Sequence, residues 1–179
     1  MTPARRHHAA DHAAPGPAAT SSPKLCVLCG CNDDLTAQIT QVSNRIRGLL
    51  TQIHPALELV VGPRLEHVAV AELLMRHPSP AQLAACGEEQ LQRELKPLAP
   101  RLYKRLAADI IPPPLLARVV VPGTQSAAQA AARRCAQLQA LRDQRADISS
   151  EIEQRVAAHP LYPVLTSMPG VGVRTAARI

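Results

Sequence analysis

The sequence has no phenylalanine and no tryptophan, and its only tyrosines are Tyr103 and Tyr162. A core without those rings must be filled by Leu, Ile, Val and Ala, which suits helix on helix and disfavours a sandwich or barrel. Long apolar runs are missing too. None approaches the roughly 20 residues needed to cross a bilayer, and no apolar signal-peptide segment opens the chain. A soluble, cytoplasmic protein without a membrane partner is expected. Acidic charge is in the minority, with 14 Asp and Glu against 20 Lys and Arg, a net charge of +6. That excess, mostly arginine, fits a partner with a phosphate backbone without demanding one.

A complete cysteine framework is also lacking. Cys26, Cys29, Cys31, Cys86 and Cys135 are an odd number with no secretory leader, so reduced thiols are expected. Cys26-x-x-Cys29-x-Cys31 looks like part of a metal site, yet no second CxxC or HxxxH completes it. His7, His8 and His12 would reach it only if a tail folded back, so incidental thiols are the favoured reading and no metal ligand is assigned.

What is present is helical punctuation. Residues 1–32 open with Ala, Pro, His and Arg and read as a disordered tail, unable to offset its ordering entropy. Residues 33–59 read as a long helix capped by Asp33 or Asp34 and ended or kinked by Pro55. Its stripe Leu35, Ile39, Val42, Ile46, Leu49 and Ile53 alternates spacings of four and three, a heptad seam that asks for a long partner. Gly48 weakens that helix or marks a close approach by another backbone. Residues 60–124 read as short helices broken by Gly62-Pro63, Ser79-Pro80 and Gly87. Pro112-Pro113-Pro114 and Leu115 to Val121 then form an extended connector. Residues 125–158 read as a second long helix with the stripe Ala131, Cys135, Leu138, Leu141, Ile148, Ile152 and Val156, interrupted near Arg145. The two long helices fit a coiled-coil hairpin within one chain or a homo-oligomer between chains, because one seam serves both. The fold class expected is therefore all-α.

The last segment, 159–179, carries the most chemistry. Met168-Pro169-Gly170-Val171-Gly172 leads into a run of helix formers. Glycines there permit a tight turn and a bare backbone, and a helix opening next presents unpaired N–H groups to an anion. Arg174 and Arg178 are four apart, on one helix face, suited to holding phosphates. This is the layout of a helix-hairpin-helix, with DNA contacts assigned to Gly170, Val171, Gly172, Arg174, Thr175 and Arg178 and no catalytic residue. The same residues also fit an ordinary helical bend. The second helix stops within a few residues, which reads as a fragment or a truncated reading frame.

From Asp34-Leu35-Thr36 to Glu58, through Val120-Val121-Pro122-Gly123-Thr124, to His159-Pro160-Leu161-Tyr162 and the glycine turn, the chain resembles a known family. It is similar to the bacterial insertion-sequence transposases with a RuvC-like DEDD catalytic domain, related to Piv-type invertases. The resemblance covers about residues 33–179. It implies a coiled-coil linker followed by the start of a C-terminal transposase domain, acting in DNA transposition with DNA and a structured guide RNA as partners. It also implies that the divalent metal belongs to an acidic domain whose carboxylates are not recognisable here, so this chain alone is expected to be inactive. Ser167 is a poor match for the family's serine. The alternative is a non-enzymatic helical interaction module with no DNA role.

Overall fold

In the computed structural model the described residues are 23–111 and 123–178, and every regular element among them is helical. The first is α1, Pro23–Ile53. Its buried stripe is Asn32, Leu35, Ile39, Val42, Ile46 and Leu50. The helix thus begins upstream of the expected cap, so Asp33 and Asp34 lie inside it and residues 23–32, read as tail, form its first turns. Proline is well suited to that position because its missing N–H would be unpaired there anyway. Along the stripe Leu50 replaces the expected Leu49. A straight helix has 3.6 residues per turn, so a strict seven-residue seam drifts round it and the next position takes over.

The long second rod is α6, Thr124–Ala157. It buries Ala128, Ala131, Cys135, Leu138, Leu141, Ile152 and Val156. The two rods run antiparallel: Ser149 of α6 donates to Asn32 Oδ1 at 3.2 Å, and Leu35 lies beside Ile148. Full burial of each Leu or Ile along such a seam contributes about 1.5–3 kcal/mol. The Asn32–Ser149 contact is the polar break in it, and it ties one register to the pair.

Between the rods the chain makes shorter helices: α2 (Pro55–Val61), a 3₁₀ turn (Gly62–Arg64), α3 (Val68–Arg76), α4 (Pro80–Leu95) and α5 (Tyr103–Ile110). Two of the starts have a clear local cause. His54 caps α2, its Nδ1 accepting from the Leu57 amide at 3.1 Å, with Pro55 in the first turn. Ser79 and Gln82 cap α4 reciprocally, and Pro80 follows. Gly87 takes φ +72° and kinks α4 in its middle. Leu57, Val61, Leu73, Leu74, Leu83, Leu91, Leu95, Leu106 and Ile110 join the stripes of both rods in one core. The expected tail over residues 1–22 and the connector at Pro112–Pro114 and Leu115–Val121 lie outside the described residues.

After α6 come two short helices, α7 (Tyr162–Thr166) and α8 (Val173–Ala176). They make a second, smaller cluster, with Ala176 and Ala177 packed against Ile152 and Val156 of α6 and Leu25, Leu28 and Cys29 of α1. None of the described helices is long and apolar enough to cross a membrane.

Candidate nucleic-acid interface

The segment from α7 to α8 turns through Met168-Pro169-Gly170-Val171. The Val171 amide donates to the Met168 carbonyl at 3.2 Å and Gly170 takes φ +82°. Proline second and a positive-φ glycine third is the pattern of a type II turn, in which a side chain at the third place is strained. Gly172 is different. It takes φ −88° and ψ 174° at the N-cap of α8, a conformation open to any residue. Only Gly170, then, needs to be glycine for the turn itself. A Cβ on Gly172 would meet nothing within 4 Å, so the fold does not use its bareness.

Both glycines are exposed. Among the described residues no acceptor serves the amides of Gly172, Val173 or Arg174, whereas those of Thr175 and Ala176 both donate to the Gly172 carbonyl. Unmade N–H groups at a glycine backbone are what an anion requires. Val171 is half-buried against the second cluster, and Thr175 is exposed at the rim of a cleft.

The expected arginines part company. Arg178 Nη2 donates to both carboxylate oxygens of Asp33, at 2.5 and 2.6 Å, and is thereby neutralised within the chain. Arg174 makes no salt bridge with any described carboxylate. It stands with two arginines of α6. One cleft of about 470 Å³ is lined by Arg142, Arg145 and Arg174, with Asp143 and Glu153 also on its wall. A neighbouring cleft of about 450 Å³ shares Arg145, Ser149 and Arg174 and continues to Thr175 and Arg178. The Arg145 Nε is buried and has no hydrogen-bond partner among the described residues. A buried guanidinium N–H left unmade is costly, so a ligand that supplies an oxygen there is favoured.

The sequence pointed to Arg174 but not to Arg142 or Arg145, which line the same cleft. A signal was present: Arg145 falls four residues after Leu141, where the stripe calls for an apolar residue. The three clustered cysteines lie on α1, with Cys26 and Cys31 exposed and Cys29 half-buried. Burial raises the Cys29 thiol above its ordinary pKa, opposed by Arg178, and its Sγ approaches the Ala177 carbonyl at 3.9 Å. Ser167 donates its hydroxyl to the Val164 carbonyl at 2.7 Å.

Comparison with known proteins gives two relatives. The chain is similar to the insertion element IS110 43.6 kDa protein of Streptomyces coelicolor, 50% identical over 154 residues that make up 86% of this chain and 38% of that protein. It is also similar to the insertion element IS116 44.8 kDa protein of Streptomyces clavuligerus, 31% identical over 148 residues, 83% of this chain and 37% of that protein. The chain therefore spans less than two fifths of the length of the curated relatives it matches. No protein-family model matches it, and no solved structure matches it significantly.

Proposed function

We propose that this chain serves the DNA transposition of an insertion element, as a part that grips nucleic acid and positions it. Homology to insertion-element proteins supports the setting. The observation that carries the binding role is the convergence of Arg142, Arg145 and Arg174 beside a glycine turn whose following amides are unmade. In this reading the free N–H groups of Gly172, Val173 and Arg174 hold one phosphate in a helix-hairpin-helix grip. Arg174 and Arg145 extend the hold along the strand. Contacts to phosphate carry no base information, so the grip is indifferent to sequence. Structured RNA offers the same chemistry, which keeps a guide RNA among the proposed partners. The rods α1 and α6 act as the coiled-coil linker that sets where the grip lies. Strand cleavage and rejoining, with a divalent metal in a RuvC-like domain, is assigned to the whole insertion-element protein rather than to this stretch.

A second reading, a helical module that binds protein only, draws on Leu161, Val164 and Met168. These large apolar side chains are 46%, 60% and 44% exposed on and beside α7. Binding of duplex DNA and structured RNA across a salt series separates the two. Three phosphate contacts give a log–log slope of about −3 on duplex DNA, and substituting Arg145 and Arg174 with Gln removes about two units of it. Absence of salt-dependent binding to either nucleic acid overturns the first reading.

A further inference from the structure

His77, Cys86 and Glu94 meet between α3 and the two halves of α4, away from the arginine clefts. Their nearest ligand atoms all lie within 4.8 Å of one another. His77 Nε2 is 2.9 Å from Glu94 Oε2 and 3.8 Å from Cys86 Sγ. Local structure places each one. His77 is the C-cap of α3, its amide bonded to the Leu73 carbonyl at 2.9 Å. The Ser79–Gln82 capping box starts α4 at once, so the link between the helices is short and fixed. Gly87, at φ +72°, breaks α4 immediately after Cys86 and redirects its second half so that Glu94 faces back to the same point. No neighbour lies within 4 Å of where a Cβ would stand at Gly87, so the glycine answers to the kink and not to crowding.

We propose that His77, Cys86 and Glu94 bind one divalent transition-metal ion, zinc by the chemistry of the donors, with water in the fourth position. Imidazole, thiolate and carboxylate are the three ligand types zinc takes in proteins. Tetrahedral zinc with ordinary bond lengths sets its S and N ligands about 3.6 Å apart and its N and O ligands about 3.3 Å apart. The His77–Glu94 and His77–Cys86 distances differ from these by only a few tenths of an ångström, and Cys86 and Glu94 lie within 4.8 Å of each other, so rotamer adjustment closes the set. The two oxygens of Glu94 are already differentiated, because Gln90 donates to Oε1 at 3.2 Å and leaves Oε2 for the ion. Thiolate plus carboxylate balances the metal's two charges. The neighbouring cation Arg76 stands 4.0 Å from Glu94 Oε2 and is held by Glu72 at 2.9 Å. Arg93 is the cation acting on Cys86, and burial together with Glu94 raises that thiol above its ordinary pKa. Metal binding therefore displaces the thiol proton. The bound ion pins the end of α3 to both halves of α4. Cys86 also packs against the main core, so the test has to separate a metal ligand from a packed thiol beside a His77–Glu94 hydrogen bond.

The test uses the full chain with Cys26, Cys29 and Cys31 replaced by Ser, which removes the other exposed and half-exposed thiols of α1. Cobalt(II) is the probe, followed by zinc competition. The expected result is one cobalt per chain, with visible bands of tetrahedral geometry and a near-ultraviolet thiolate-to-cobalt band. Cys86→Ser abolishes the thiolate band. Glu94→Gln keeps the band but lowers zinc affinity by at least about tenfold, and zinc raises the melting temperature only where the site is intact. Circular dichroism checks that each variant keeps its helices. Absence of a thiolate band in the parent, an undiminished band in Cys86→Ser, or unchanged zinc affinity in Glu94→Gln overturns the proposal. Should Cys86→Ser fail to fold, the Glu94→Gln affinity decides alone.

Discussion

Arg178 holds the Asp33 carboxylate through both of its oxygens, although the two residues are 145 positions apart in the chain. The pair joins the third turn of α1 to the end of the glycine-turn segment. Both side chains are more than half exposed, so the pair contributes only about 0–1 kcal/mol to stability. Its larger effect is on charge, because it occupies one of the two arginines that the sequence offered to a phosphate.

Releasing that arginine should strengthen nucleic-acid binding. In Asp33→Asn the Arg178 guanidinium is free to meet a phosphate and a negative charge leaves the cleft wall. Affinity for duplex DNA is expected to rise severalfold, with the salt slope steeper by about one unit. Fluorescence anisotropy at four or more salt concentrations measures both. An unchanged slope would mean that Arg178 points away from the bound strand.

The two glycines should separate cleanly. Gly170→Ala forces a side chain into φ +82° and is expected to cost about 1 kcal/mol in urea unfolding. Gly172→Ala meets no neighbour and has an ordinary backbone, so stability should change by less than about 0.5 kcal/mol. In the proposed grip the same methyl would crowd a phosphate held by those amides, and DNA affinity should fall severalfold. Undiminished binding in Gly172→Ala would remove the backbone grip from the proposal.

His54 should make stability depend on pH. Burial lowers its pKa from the ordinary value, and its Nδ1 must stay unprotonated to accept from the Leu57 amide. As pH falls through about 6.5 the unfolded chain takes up this proton before the folded one does, so stability is full above that pH and declines below it. His54→Asn keeps an N-cap without the titration. Urea melts at about pH 8 and about pH 5.5 should show the acid loss reduced in the variant; an equal loss would assign it to other groups.

Gly48 should prove to be a weak point in α1. It is exposed and no atom lies within 4 Å of a Cβ placed there, which removes the alternative of a close backbone approach. Gly48→Ala is expected to stabilise the protein by roughly 0.5–1 kcal/mol, read from the urea midpoint at constant m-value.

The all-α class was legible because its signals are local and repeated. The stripe from Leu35 to Ile46, the stripe from Ala131 to Val156 and the Ser79-Pro80 start all follow from helical periodicity and capping. The true start of α1 was not legible from composition. Leu25, Leu28 and Cys29 are held in a helix by packing on Ala176 and Ala177, contacts that span nearly the whole chain. The arginine surface was half legible: Arg174 sits in a recognisable motif, whereas Arg142 and Arg145 join it only because α8 folds back against α6. His77, Cys86 and Glu94 share no motif at all. A loop and a positive-φ kink bring them together, and no residue spacing encodes that geometry.

The second cluster draws on few buried side chains, Ile152, Val156, Ala176 and Ala177, and meets the main core only through the partly buried Ile148. So small an apolar patch can melt while the rest of the molecule stays folded. Amide exchange in α8 should therefore run ahead of exchange in the middle of α6. The proposed nucleic-acid grip would then come and go as a hinged flap on a permanent frame, and on that proposal a bound strand would be what keeps it shut.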